Sequence, residues 1–316
     1  MMKIDRLFVA EHHPISITPQ GDRSLQALAA YIEQEQGTLA HSLRRHGAIL
    51  FRGFDVADAG HFSQVARQLG GQPHAYVGGN SPRTRVSADV STSTEYPASE
   101  TISLHNEMSY QPDWPRRLFF FSQLPALAGG QTSLANGRDI LAHLPAEIVE
   151  AFRRKRVNYV RHFHANGKVG KTWQSTYQTD SRAEVEQIVA QQGSRCHWKP
   201  DGGLQVSTVC DAIITHPETG EEVWFNQAEQ WHPSALPKEV RDFYQQRGLL
   251  AHHCEFGDGT PMDEAMLAET RRVATRHKLL FDWQAGDVLM LDNVLMLHGR
   301  EPFKGPRKTL AYLSAA

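Results

Sequence analysis

Gly286-Asp287-Val288-Leu289-Met290-Leu291-Asp292-Asn293 is followed by His298-Gly299-Arg300 and then by Gly305-Pro306-Arg307. Gly286-Asp287 reads as a turn entering an apolar strand, because a short apolar run bounded by turn residues marks a buried strand. His298 closes that unit and Arg307 starts the next strand. Two adjacent strands can therefore bring an imidazole and a guanidinium into one cavity. The guanidinium offers a planar fork that suits a carboxylate.

Working outward, Gly47-Ala48-Ile49-Leu50-Phe51-Arg52-Gly53-Phe54 is a second apolar run between glycines and predicts another buried strand. Further strands are predicted at 102–107, 118–124, 131–135, 204–209, 212–216, 222–226, 278–283, 287–291 and 308–313. Helical spacing occupies 23–46, 60–70, 137–156, 183–192 and 261–274, with another helix beginning near Pro237. Many short strands with no regular βα alternation favour an antiparallel sandwich or barrel with helices packed outside, over a doubly wound parallel sheet. No GxGxxG follows a strand and no GxxxxGK[ST] occurs, so dinucleotide and phosphate-loop readings lack support.

The chain has 316 residues, 40% hydrophobic and 22% charged, which suits one large domain with its own core. A core of that size needs no metal staple, so any metal is expected to serve chemistry. A net charge of −2 and the lack of a dense basic stripe argue against nucleic-acid binding. The run Arg153-Arg154-Lys155-Arg156 reads as the cationic end of a helix. Three cysteines without a CxxC pair argue against a disulfide framework and fit a reducing cytoplasm. Neither a signal-peptide stretch nor a membrane-length apolar run is visible.

Seventeen histidines are the chain's chemical resource. His105-Asn106-Glu107 is an H-x-E pair, and residues two apart on a strand share a face. An imidazole and a carboxylate, joined by a second histidine from elsewhere, make the facial triad that suits iron(II) and leaves positions open for co-substrates. Alone, so short a pair recurs by chance; the stretch ending in His298 strengthens it by offering a candidate second histidine.

At this point the sequence resembles the taurine-dioxygenase-like (TauD/TfdA) superfamily of iron(II)- and 2-oxoglutarate-dependent oxygenases. Gly47 to Phe54 resembles its GxxxFRGF strand, His105-x-Glu107 its HxD/E pair and Gly129-Gly130-Gln131-Thr132 its GGxT segment. Asp292-Asn293 to His298-Gly299-Arg300 resembles its DNxxxxHGR segment, and Arg307 matches the arginine that holds the distal carboxylate of 2-oxoglutarate. The resemblance covers most of the chain. It implies a mostly β fold with flanking helices, a double-stranded β-helix or jelly roll. It also implies iron(II) held by His105, Glu107 and His298, with 2-oxoglutarate contacted by Thr132 and Arg307. The implied reaction uses dioxygen, converts 2-oxoglutarate to succinate and carbon dioxide, and oxidises an unactivated C–H bond.

The segment Leu104 to Tyr110 is most similar to the syringomycin-type aspartyl hydroxylases, near the clavaminate synthase-like oxygenases. Glu107 argues against halogenation, because related halogenases carry a small residue there. Many relatives have a second arginine four positions beyond the first, to hold a substrate acid group; here that position is Ala311. The acid group is then absent, masked as a carrier-protein thioester, or held elsewhere, with Arg300, Arg117 and Lys171 as candidates. Asn226 is a further candidate substrate contact, set against a structural reading in which it bonds backbone. Arg300 is likewise weighed against a partner in Glu301 or backbone. Asp292-Asn293 reads as turn chemistry, and the Phe119 to Phe121 run as core. His162-x-His164 is a same-face pair without a nearby carboxylate, with His252-His253 beside it.

The expected function is hydroxylation of an amino acid or amino-acid-derived substrate in natural-product biosynthesis. The substrate is a small molecule, with presentation on a carrier protein left open. Desaturation, epoxidation or cyclisation would use the same site. A non-catalytic metal- and 2-oxoglutarate-sensing protein is the rival from another class. One domain over 1–316 is expected, with segments 73–100 and 164–203 forming a lid.

Overall fold

The computed structural model describes residues 1–10, 12–74, 83–165 and 170–315. Parts of both expected lid segments, 75–82 and 166–169, lie outside the described residues.

A seven-stranded sheet runs in the order Met2–Arg6, Ile15–Pro19, Ala48–Phe51, Val288–Asp292, Arg117–Leu124, Lys308–Ser314 and Val90–Thr92. Its pairs are antiparallel except Ile15–Pro19 with Ala48–Phe51. A four-stranded antiparallel sheet runs in the order Leu279–Phe281, Thr132–Asn136, Met296–Arg300 and Ile102–His105.

The apolar runs are continuous because the larger sheet is buried on both faces. Successive side chains alternate between two clusters. Leu118, Phe120, Leu50, Leu289, Leu291 and Ala311 join Leu134 and Leu297 of the smaller sheet in one core. Phe119, Phe121, Ile49, Phe51, Val288 and Met290 turn the other way, onto the helices Leu25–Gln34, Gln36–His46 and Ala59–Gly70. The site lies on the inner side, where the smaller sheet faces the larger.

Two expected helices are each divided. The span 23–46 breaks at Glu35, whose backbone leaves the helical region (φ −108°, ψ 20°) just before Gly37, a poor helix former. The span 137–156 breaks at Leu144-Pro145, because proline disfavours helical geometry in the residue before it. The chain from 170 to 203 carries the helices Trp173–Tyr177 and Arg182–Gln191. They pack on a third sheet, Arg195–Trp198, Leu204–Cys210, Val157–Phe163 and His252–Phe256, around a separate apolar cluster.

Asp287 joins the two ends of the chain. Its carboxylate is fully buried and accepts hydrogen bonds from Nε and Nη2 of Arg52 at 3.0 and 2.6 Å. The FRGF and GD stretches are thereby coupled in space as well as in motif.

Candidate metal centre and active site

Ile102–His105 pairs with Met296–Arg300 so that His105 lies directly opposite His298. Cross-strand partners hold their Cβ atoms about 4.5–5.5 Å apart, and the two imidazole centroids are 4.3 Å apart. The register of one strand pair thus brings together two residues distant in sequence. Gly299 permits that approach: a Cβ there would collide with the Ile102 carbonyl and the Ser133 side chain.

Glu107 arrives by a different route from the one the alternation predicts. The strand ends at His105, and residues 107–110 form a turn in which Met108 takes φ 59°. The carboxylate is aimed from the backbone by Asn293. Its Oδ1 accepts from Glu107 N at 2.8 Å, and its Nδ2 donates to Glu107 O at 3.0 Å and Pro115 O at 2.8 Å. Asn106 donates from Nδ2 to Asn293 O at 2.7 Å. Asp292 does act in the turn, accepting from Val294 N and Leu295 N.

His105, Glu107 and His298 are all buried, and each offers one ligand atom within 4.8 Å of the others. Nδ1 of His105 is 2.8 Å from Ser103 O. A carbonyl only accepts, so Nδ1 carries the proton and Nε2 keeps its lone pair for a metal. Burial, aided by the neighbouring His298, pushes His105 down to about 4 against the opposing pull of Glu107. For Glu107, burial alone would raise the carboxyl. The charge of Arg83, with His298 and His105, outweighs burial and holds it well below the usual carboxylate range. A neutral imidazole beside an ionised carboxylate is the protonation state that metal binding requires.

The adjoining pocket is lined by His105, His298, Phe120, Thr132, Arg300 and Arg307. Burial, with Arg300 nearby, lowers Arg307 to about 10, so it remains cationic at neutral pH. Among the described residues it makes no hydrogen bond or ion pair; its guanidinium lies 5.5 Å from the Phe303 ring centroid. A largely buried cation without a counter-ion is a costly arrangement that an anionic ligand relieves. The Thr132 hydroxyl accepts from Trp283 Nε1 at 3.1 Å, which leaves its own proton to donate, and Thr132 lines the pocket. A second cavity on the other side of His105 is lined by Glu107, Tyr110, Gln230, Trp231 and His252.

The four suggested substrate contacts fare differently. Asn226 donates to Ala212 O at 3.1 Å and accepts from Ala228 N at 3.1 Å, so both ends of its amide are engaged with backbone, the structural reading. Arg117 points to the far side of the larger sheet and donates to Leu69 O at 2.7 Å. Arg300 borders the pocket, yet its guanidinium donates to the carbonyls of Tyr96, Pro97 and Glu100 at 3.1, 2.7 and 2.6 Å. Lys171 is close enough to Arg83 for that charge to lower it, though burial is the larger cause. Ala311 is 1% exposed within the inner core.

Arg83 was not singled out by motif or periodicity. Its Nη2 donates to Oε2 of Glu107 at 2.8 Å, and it lines the same pocket as Thr132 and Arg307. It stands in a loop where no periodic signal separates it from Arg85. His162 and His253 approach at 3.1 Å and stack, but among the described residues they belong to no cluster of three metal-capable groups.

The class these features fit is a facial-triad oxygenase with an anionic co-substrate. The model of the taurine catabolism dioxygenase TauD, TfdA family matches residues 10–313, and the chain belongs to that family. It is an enzyme, a dioxygenase dependent on iron(II) and 2-oxoglutarate. It is 35% identical over 268 residues to the dapdiamide synthesis protein DdaC of Enterobacter agglomerans, across 84% of this chain and 81% of that one. It is 29% identical to a clavaminate synthase-like protein of Arabidopsis thaliana, across 95% and 91% of the two chains. In fold it is similar to PvcB of Pseudomonas aeruginosa (TM-score 0.58, 16% identity, 99% and 91% covered). It is likewise similar to AAD-2 in complex with Mn(II) and N-oxalylglycine (TM-score 0.57, 13% identity, 99% and 96% covered). Among the described residues no helix is long and apolar enough to cross a membrane.

Proposed function

We propose that this dioxygenase hydroxylates an unactivated C–H bond of an amino acid or amino-acid-derived substrate in natural-product biosynthesis. In this reading His105, Glu107 and His298 hold iron(II), while Thr132 and Arg307 hold 2-oxoglutarate. The observation that carries it is the meeting of two imidazoles and an ionised carboxylate within ligand distance of one another, beside a pocket that also holds a cation with no counter-ion among the described residues. The similarity to a protein named for dapdiamide synthesis supports amino-acid chemistry of this kind.

Bound iron(II) supplies the oxidation of a C–H bond coupled to decarboxylation of the 2-oxo acid. The chain supplies the rest. Arg307 fixes the distal carboxylate of 2-oxoglutarate, and the Thr132 hydroxyl, oriented by Trp283, adds a hydrogen bond. Phe120, whose ring centroid lies 5.3 Å from that of His298, limits water beside the triad. The cavity lined by Tyr110, Trp231 and His252 receives the substrate.

The two facing sheets correspond to the halves of a double-stranded β-helix, and residues 1–316 act as one unit. The described parts of the segments 73–100 and 164–203 form its lid, residues 96–100 being anchored through Arg300. The position where many relatives carry a second arginine is here Ala311, buried in the core, and the lack of that cation favours a masked acid group such as a carrier-protein thioester. A cytoplasmic setting follows from such a partner.

Anaerobic addition of iron(II) and 2-oxoglutarate is expected to produce a visible metal-to-ligand charge-transfer band. Aerobic turnover with free and carrier-tethered amino acids is then followed by mass spectrometry. A gain of one oxygen atom supports hydroxylation; loss of two hydrogens replaces it with desaturation. A band without succinate would sink the catalytic reading and favour a sensor; absence of both would sink the assignment of the iron(II) and 2-oxoglutarate residues.

A further inference from the structure

A second group of imidazoles gathers away from the pocket, where the connection between the first two strands meets the helix Gly137–His143. Nε2 of His12 is 3.0 Å from Oδ1 of Asp139, and Nε2 of His13 is 3.8 Å from Oδ2. The ligand atoms of these three residues all lie within 4.8 Å of one another. His143 places Nδ1 2.8 Å from Asp139 O, and its ring centroid is 4.4 Å from that of His277. Nε2 of His277 and Nδ1 of His13 are buried without a hydrogen-bond partner.

Hydrogen bonding accounts for only part of this arrangement. The carboxylate satisfies His12 but leaves His13 too far for a hydrogen bond. Tetrahedral zinc with bonds of roughly 2.0–2.2 Å places its ligand atoms about 3.3 Å apart. Measured to the same carboxylate oxygen, Oδ2, the separations of His12 Nε2 and His13 Nε2 are 3.1 and 3.8 Å, close to that value. Two nitrogens and one carboxylate oxygen suit zinc(II) better than calcium or magnesium, which take all-oxygen shells.

We propose that His12, His13 and Asp139 form a second metal site, for zinc(II) or a similar borderline divalent ion, with His277 beside it. The site is separate from the iron triad and its role is to clamp. Asp139 lies on the helix that follows the strand carrying Thr132. His277 precedes the strand Leu279–Phe281, whose Phe281 pairs with Thr132. An ion here ties the N-terminal connection to the support of the co-substrate pocket.

The test uses the full chain, stripped of metal and carrying His298→Ala to disable the triad. Zinc(II) chloride is titrated by calorimetry and counted by elemental analysis. One zinc(II) per chain is expected, at a dissociation constant of roughly 10 µM or tighter, with a rise in Tm. Adding His12→Gln and His13→Gln should weaken binding by roughly tenfold or more and remove the rise. Asp139→Asn, which keeps the side-chain shape, should do the same with an unchanged circular dichroism spectrum. If His298→Ala impairs folding, the native chain serves, with stoichiometry falling from two zinc(II) to one on the double substitution. No zinc(II) in the triad-disabled chain, a native stoichiometry of one, or binding that survives these substitutions would overturn the proposal.

Discussion

Arg83 donates to Oε2 of Glu107 at 2.8 Å, and the same oxygen stands 3.7 Å from Nε2 of His298. Both partners of the ion pair are buried, at 6% and 5% side-chain exposure. A guanidinium thus neutralises the carboxylate that a divalent ion would also claim. Removing one partner of such a pair typically costs about 3–5 kcal/mol, because the other charge is left buried. Arg83→Gln should therefore lower the Tm of the metal-free chain. It should also tighten Mn(II) binding by roughly tenfold, about 1.4 kcal/mol, since the competing cation is gone. Thermal melts and Mn(II) titration of the two proteins check this; if neither changes, the contact is incidental.

Asn293 has no exposed surface and holds Glu107 through both its backbone N–H and its carbonyl. Asn293→Ala leaves that N–H and the Pro115 carbonyl without their partner, at about 1–3 kcal/mol for each unsatisfied group. Denaturant midpoints should fall accordingly, and metal affinity should fall with them because the turn no longer aims the carboxylate. Asn293→Asp should be at least as damaging, since an acceptor would face two carbonyls. An Asn293→Ala chain with native metal affinity would show that the turn holds its shape unaided.

These two contacts mark the limit of what the sequence discloses. His105 and His298 are legible because each lies in a short apolar strand bounded by turn residues, a signal within ten residues of each histidine. Glu107 is legible as a residue, but the reason offered for its position, alternation along one strand, is replaced by a turn clamped from 186 residues away. Asn293 reads as turn chemistry and also acts as that clamp. Arg83 carries no local signal, because its role depends on how a long loop returns to the sheet. Strand order is equally hidden: Val288–Asp292 lies between Ala48–Phe51 and Arg117–Leu124, a pairing that only tertiary packing selects.

Arg307 and Thr132 should separate by magnitude. A hydrogen bond to a charged group contributes about 1.5–3 kcal/mol and a neutral one about 1 kcal/mol. Arg307→Ala should then raise the 2-oxoglutarate concentration for half-saturation by roughly 10- to 150-fold, and Thr132→Ala by roughly fivefold. Trp283→Phe removes the donor that orients the Thr132 hydroxyl and should reproduce part of the Thr132→Ala effect. Titration of the charge-transfer band measures all three. Equal shifts for Arg307→Ala and Thr132→Ala would contradict the assigned roles.

Acid should destabilise the metal-free chain before most carboxylates titrate. His162 and His252 are each lowered to about 4, chiefly by burial and then by His253. Lys199 and His164 add to the effect on His162, and no carboxylate opposes it for either residue. The sign follows from proton uptake: below pH about 6.5 the unfolded chain takes up these protons and the folded chain does not. Stability should therefore fall as pH drops from about 6.5 towards 4 and level off, for these groups, below that. A Tm profile across this window checks it, with His162→Gln and His252→Gln each flattening the slope. Unchanged slopes would assign the acid sensitivity elsewhere.

Arg300 stands in the HGR segment, where an anion contact was one reading, but three backbone carbonyls of residues 96–100 accept from its Nη1 and Nη2, while Nε is buried without a partner. Those bonds tie residues 96–100 to the strand at the pocket. Lysine keeps the charge but lacks the planar fork that reaches several acceptors at once. Arg300→Lys should therefore leave 2-oxoglutarate affinity within about twofold, a change of less than 1 kcal/mol, while exposing residues 94–101 to faster proteolysis. If arginine instead served as an anion contact, Arg300→Lys would alter the 2-oxoglutarate or substrate requirement and leave the cleavage rate unchanged. Limited proteolysis alongside the charge-transfer titration distinguishes the two, because loop anchoring and anion binding move different readouts.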